Sequence, residues 1–81
     1  MKKMKVSDVL SVMDENEQVA CQFYAYGIFH ASSWNDGMRT VADCKDRLNY
    51  DCRNAKVVEI TCGSFGLTEK SAIIIRGTLT E

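Results

Sequence analysis

The chain has no proline, a single histidine, a single tryptophan and a net charge of only −1 over 81 residues. Each shortage excludes something. Linkers and tails are rich in proline and poor in apolar residues, yet 46% of this chain is apolar. The near-neutral balance supplies no field able to hold a nucleic-acid backbone by itself, so a nucleic-acid partner is not expected. Nor is it the strong negative charge of a protein that mimics DNA over its whole surface. One histidine cannot complete a paired ligand motif, and the four cysteines (Cys21, Cys44, Cys52, Cys62) include no C-x-x-C spacing. They read as small buried thiols, with no metal and no cofactor expected. No apolar run approaches the roughly 18 residues of a membrane span. Ser7, Asp8 and Ser11 break up the stretch behind Lys2, Lys3 and Lys5 that would otherwise resemble a signal peptide. A cytoplasmic protein with reduced thiols is therefore expected, its lysine run a solvated end.

What is present fits one small domain, because independent cores need roughly 50 or more residues each. A core this small has a thin stability margin, which a partner or a second copy would supplement. Val6, Val9, Leu10 and Met13 fall at the spacing of an amphipathic helix, with Ser7 as its expected N-cap. The acidic run from Asp14 to Glu17 should end that helix early, since negative charge is unfavourable at a helix C-terminus.

From Gln18 to Tyr26 the period becomes two: Val19, Cys21, Phe23 and Ala25 face one way, Gln22, Tyr24 and Tyr26 the other. Gly27 breaks the run as a bulge or turn, and Ile28 to Ser33 reads as a further strand, separate from the first or continuous with it. Residues 34–37, Trp-Asn-Asp-Gly, are a turn signal. A second helix is expected over Thr40 to Leu48, with Thr40 and Asp43 approximating a capping box and Asp43 spaced to pair with Arg47. Residues 49–54 read as an exit loop.

Two strands close the chain. Lys56 to Cys62 is expected to point Val58, Ile60 and Cys62 inward, and Ala72 to Leu79 to divide Ile73, Ile75 and Leu79 from Ile74, Arg76 and Thr78. The segment 63–71 reads as a hairpin loop needing its glycines for positive φ. The order α-β-β-α-β-β implies a two-layer α+β domain with a small, mostly antiparallel sheet.

No catalytic constellation stands out. His30 could serve Ser32, Ser33 or a cysteine as a base, but a lone histidine in an aromatic strand is ordinary packing. The acidic residues sit in a loop cluster and on an outer helix face, where carboxylates are solvated. The Gly-Ser-Phe-Gly run at 63–66 has the G-x-x-G form of some RNA-binding modules, but there it joins two helices and here two strands. The concentrated chemistry lies in residues 23–37, which hold five of the seven aromatic side chains, His30 and Trp34. With Phe23 inward, Tyr24 and Tyr26 face outward, the placement of a contact surface that Trp34, beside Asp36 and Arg39, could extend. A partner protein, an identical subunit or the chain's own loops could cover them.

The segments MKVSDVLSVMDENEQVACQF, NAKVVEITCG and SAIIIRG resemble small accessory proteins encoded by bacteriophages and prophages. In these a short helix of K-V-x-D-(L/V)-L type leads into a strand and an apolar hairpin closes the fold. Such sets include inhibitors of host defence, among them anti-CRISPR proteins, which act by binding. The resemblance implies a non-enzymatic binder of a bacterial host protein. The outward phase of the tyrosines, and not the resemblance, makes Tyr24, Tyr26, His30, Trp34, Asp36 and Arg39 the expected contact residues. The alternative is a homodimer or larger homo-oligomer holding a nucleotide between subunits, with aromatic rings on the base and Arg39 or the 63–66 amides near phosphate.

Overall fold

A computed structural model describes residues 4–65 and 70–80, with the side chains of 64, 65 and 70 excepted. The expected α+β class is observed. The elements are α1 (Val6–Ser11), β1 (Val19–Ala25), β2 (Ile28–Ser32), α2 (Val41–Arg47), α3 (Tyr50–Arg53), β3 (Lys56–Phe65) and β4 (Lys70–Thr78). The strands form one sheet in the order β2-β1-β4-β3. Its outer pairs are antiparallel and its central pair, β1 with β4, is parallel.

The helices are short and held by local chemistry. The cap of α1 is Lys5, not Ser7: the Asp8 carboxylate reaches back to accept the Lys5 amide at 3.0 Å. Asp8 lies three residues past the cap, where an acidic side chain can satisfy an orphan donor that a serine at position 7 cannot reach. Thr40 caps α2 as expected, accepting the Asp43 amide at 3.2 Å. The Glu15 and Glu17 carbonyls take two more amides of that first turn, Ala42 and Val41, each at 3.0 Å. The acidic loop thus closes the start of α2, and Glu15 pairs with Lys45, while the expected Asp43–Arg47 pair does not form among the described residues. Residues 50–53 are helical rather than an exit loop, because the Asn49 side chain accepts the Cys52 amide at 2.9 Å.

Between β1 and β2 the chain reverses over Tyr26 (φ 53) and Gly27 (φ 77), with Ala25 paired to Ile28. Two consecutive positive φ values make the two-residue hairpin whose twist matches the strands it joins. The strands are therefore separate. The turn at 34–37 is also present, with Gly37 at φ 82 and the Met38 amide bonded to the Ser33 carbonyl at 2.9 Å.

The core is one cluster between the sheet and the helices. Val6, Leu10, Val19, Cys21, Phe23, Val41, Cys44 and Ile75 are its fully buried members, as the apolar spacing predicts. β4 divides as expected, with Ile75 buried and Ile73 and Leu79 packed against the core. β3 does not. Val57 packs inward while Val58 is 58% exposed, because the ladder skips Val58: Val57 pairs with Gly77 and Glu59 with Arg76. One extra residue reverses the alternation behind it. Beyond the bulge Ile60 and Cys62 lie opposite Ile75 and Ile73, so they share the helix-side face, but both are exposed because β3 is the outer strand. Gly63 is also a strand residue, opposite Ala72 and with no positive φ, so the expected loop glycine is a ladder position; Gly66 lies outside the described residues.

Gly77 is where the layers approach most closely. A Cβ there would meet the Ala55 Cβ and the Val6 Cγ2, each at 3.1 Å. Gly77→Ala is expected to cost about 1–3 kcal/mol through overpacking. The check is a lowered urea midpoint with an unchanged m-value.

Candidate functional site: the bare face of the sheet

The buried inner face of the sheet carries Val19, Cys21, Phe23 and Ile75, the residues clustered with α1 and α2. The opposite face has no layer on it among the described elements, and the pairing registers order its side chains into rows. Lys56 lies opposite Thr78, Thr78 beside Tyr24, and Tyr24 opposite Phe29. The next row runs from Glu59 through Arg76 and Gln22 to Ser32. Thr61, Ile74 and Ala20 form a third.

The second row is held by Arg76. Its Nε donates to the Gln22 Oε1 at 3.3 Å and its Nη1 forms an ion pair with the Glu59 carboxylate. A half-exposed pair of this kind adds little stability, but it fixes a cation near the middle of the face. In the first row Tyr24 meets Phe29 edge to face, with centroids 5.7 Å apart. Tyr24, Tyr26, Lys56, Val58, Arg76 and Thr80 line a groove of about 770 Å³ along this face. That volume lies within the usual range of ligand sites.

One end of the groove is strained. Tyr26 is 84% exposed and sits at φ 53, a conformation that suits asparagine or glycine. Its amide donates to the Thr80 Oγ1 at 2.9 Å, and the Leu79 amide donates to the Tyr24 carbonyl at 2.7 Å. The hairpin tip is thereby tied to the chain beyond β4. A large, exposed aromatic ring held at a backbone cost points to a role outside the fold.

The six residues expected to form one contact surface divide into three groups. Tyr24 and Tyr26 line the groove. Trp34 and Arg39 face each other, the Arg39 guanidinium 5.1 Å from the indole centroid and its Nε donating to the Trp34 carbonyl at 3.5 Å. His30 and Asp36 line a different cavity, of about 250 Å³, with Ser33, Arg47, Asp51 and Cys52. His30 goes there because it is the extra residue of a second bulge: Phe23 pairs with Ala31 and Tyr24 with Phe29, leaving it unopposed. Periodicity places Arg76 on the outward face of β4, but Arg76, Val58, Lys56 and Phe29 are not among the expected contact residues. The signal for Arg76 is its place one strand step from the buried Ile75.

The second cavity brings histidine, serine and cysteine together without activating them. The Ser33 hydroxyl is buried and accepts the Cys21 amide at 2.9 Å. No hydrogen bond joins His30 to Ser33 or Cys52 among the described residues. Burial, with the Asp51 and Asp36 carboxylates, pushes the Cys52 thiol up. That is the opposite of the shift that makes a nucleophile. The Cys21 thiol is raised much further, first by its hydrogen bond with the Cys44 thiol and then by burial. Among the described residues no three His, Cys, Asp or Glu side chains converge as a metal site, and no helix is long and apolar enough to cross a membrane.

Two outcomes follow from this geometry. Tyr26→Asn is expected to raise stability by about 0.5–1 kcal/mol, read as a higher thermal midpoint, because it relieves the left-handed strain. With iodoacetamide at pH 8, Cys62 is expected to be alkylated in the native protein while Cys21 and Cys44 react only on unfolding, as peptide masses would record.

The chain matches no known protein family, no curated protein and no solved structure.

Proposed function

We propose that the protein is a non-enzymatic binding module that presents the bare face of its sheet to another protein. The observation that carries this reading is Tyr26, exposed at the lip of the groove in a conformation that costs the fold stability. Tyrosine supplies a large amphipathic contact at low entropic cost, and a sheet face without a covering layer offers such rings a broad seat. Val58 and Phe29, both exposed, extend the apolar part, while Lys56 and the Arg76–Glu59 pair add charge for orientation. The likeness of the sequence to phage and prophage accessory proteins supports a partner within a host defence complex such as CRISPR-Cas. The contact residues are accordingly Tyr24, Tyr26, Phe29, Val58 and Arg76, with Trp34 and Arg39 outside the groove and His30 and Asp36 in the separate cavity.

The test compares capture of bacterial proteins by tagged variants. Val58→Glu and Tyr26→Ala should abolish a capture that the unaltered protein shows, with midpoints of unfolding within about 0.5 kcal/mol of the original, the usual range for exposed positions. Asp43→Lys, on the helix side, should leave capture intact. Equal capture by all three variants would remove the bare face from consideration.

A further inference from the structure

Lys5 forms an isolated antiparallel bridge with Lys56, the first residue of β3. The Val57 amide donates to the Met4 carbonyl at 2.9 Å and the Val6 amide to the Ala55 carbonyl at 3.0 Å. These bonds flank the lysine pair, which is therefore the non-hydrogen-bonded kind, where side chains come closest. Like charges directly opposite are destabilising there. Neither ammonium has an ion pair among the described residues, whose pairs are Lys45–Glu15 and Arg76–Glu59. Asp51 lines the same hollow, of about 510 Å³, with Lys5, Lys56, Asn54, Thr78 and Thr80, but pairs with neither lysine.

This hollow and the tyrosine-lined groove share Lys56, Thr78 and Thr80, so they adjoin. The bridge extends the first row of the bare face to Lys5, Lys56, Thr78, Tyr24 and Phe29. Two cations stand at one end, hydroxyls in the middle and aromatic rings at the other. Lys56 and Tyr24 are two strands apart, roughly 10 Å at ordinary strand spacing.

We propose that this row is a binding site for a nucleoside monophosphate, with the phosphate between Lys5 and Lys56 and the base against Tyr24 and Tyr26. A dianionic phosphate converts an unfavourable cation pair into two charge-assisted contacts. Between them the Thr78 hydroxyl donates to the Thr80 carbonyl at 2.6 Å and the Thr80 hydroxyl accepts the Tyr26 amide, which leaves the Thr80 proton for the sugar. Exposed tyrosine rings accept any base by stacking. The occupant is a free nucleotide rather than a strand of nucleic acid, because the described row offers one unpaired cation pair for one phosphate, the Arg76 guanidinium being already paired with Glu59. The site lies within one chain, so it needs no second subunit. It goes beyond the protein-contact reading and does not depend on it.

Calorimetric titration with AMP, adenosine, inorganic phosphate and a single-stranded oligonucleotide tests it, together with the Lys5→Gln/Lys56→Gln double variant. AMP should bind more tightly than adenosine or phosphate, weaken with added salt, and raise the thermal midpoint of the unaltered protein. The double variant should lose about a hundredfold or more in AMP affinity, the equivalent of the two lost charge-assisted contacts. It should bind adenosine as before and unfold at the same or a higher temperature, since a like-charge pair has been removed. No AMP binding, equal affinity in the double variant, or tighter binding of the oligonucleotide would each overturn the proposal. Protein capture through Val58 is a separate measurement, so either idea can fail alone.

Discussion

The parallel pairing of β1 with β4 is the constraint on which the rest of the molecule depends. Six register pairs, from Val19 with Ile73 to Tyr24 with Thr78, join strands that are far apart in sequence. A parallel pair cannot be closed by a tight turn, so the chain between must leave the sheet and return. Here that excursion contains β2, α2, α3 and β3. The central strands contribute Val19, Cys21, Phe23 and Ile75 to the buried cluster, which also takes in Val6, Leu10, Val41 and Cys44 from the helices. With helices packed against this inner face, the outer face carries most of the polar and aromatic side chains of the sheet, with Ile74, Ala20 and Val58 among them.

That asymmetry explains why chemistry collects where it does. On the covered face, alternation delivers the apolar residues of the core and one close approach at Gly77. On the bare face the same alternation delivers Tyr24, Gln22, Arg76 and Thr78, and lateral pairing sets them in rows. Arg76 can stand in the middle of a sheet because Gln22 and Glu59 on its two neighbours satisfy its guanidinium. The Thr80 hydroxyl, by accepting the Tyr26 amide, holds the hairpin tip over the end of β4 and gives the groove its wall.

Much of this was legible in the order of residues. The inward sets of β1 and β4, the Thr40 cap and the turn ending at Gly37 follow from local rules that need no distant contact, whereas at Gly27 the residues allowed a bulge or a turn and the strand ends at Ala25 rather than Tyr26. Two of the failures have a common cause. At Val58 and at His30 one extra residue enters an edge strand, and every side chain beyond it changes face relative to a strict alternation. Nothing in a run such as Lys-Val-Val-Glu-Ile marks which valine will be skipped, because both are equally suited to a strand. The candidate surface divided for the same reason: the bulge that carries His30 into the small cavity parts it from Tyr24, which sits two strands from Lys56.

The sequence by itself determined the class of fold, the strand faces of β1 and β4 and the outward placement of Tyr24, since these depend on period and propensity along a few consecutive residues. Only the tertiary structure decided the strand order, the two bulges, the Lys5–Lys56 bridge and the row that joins those cations to the tyrosines. The physical reason is that lateral neighbours in a sheet come from segments tens of residues apart. Their register is set by the summed packing of the whole core and not by any pattern that one segment carries.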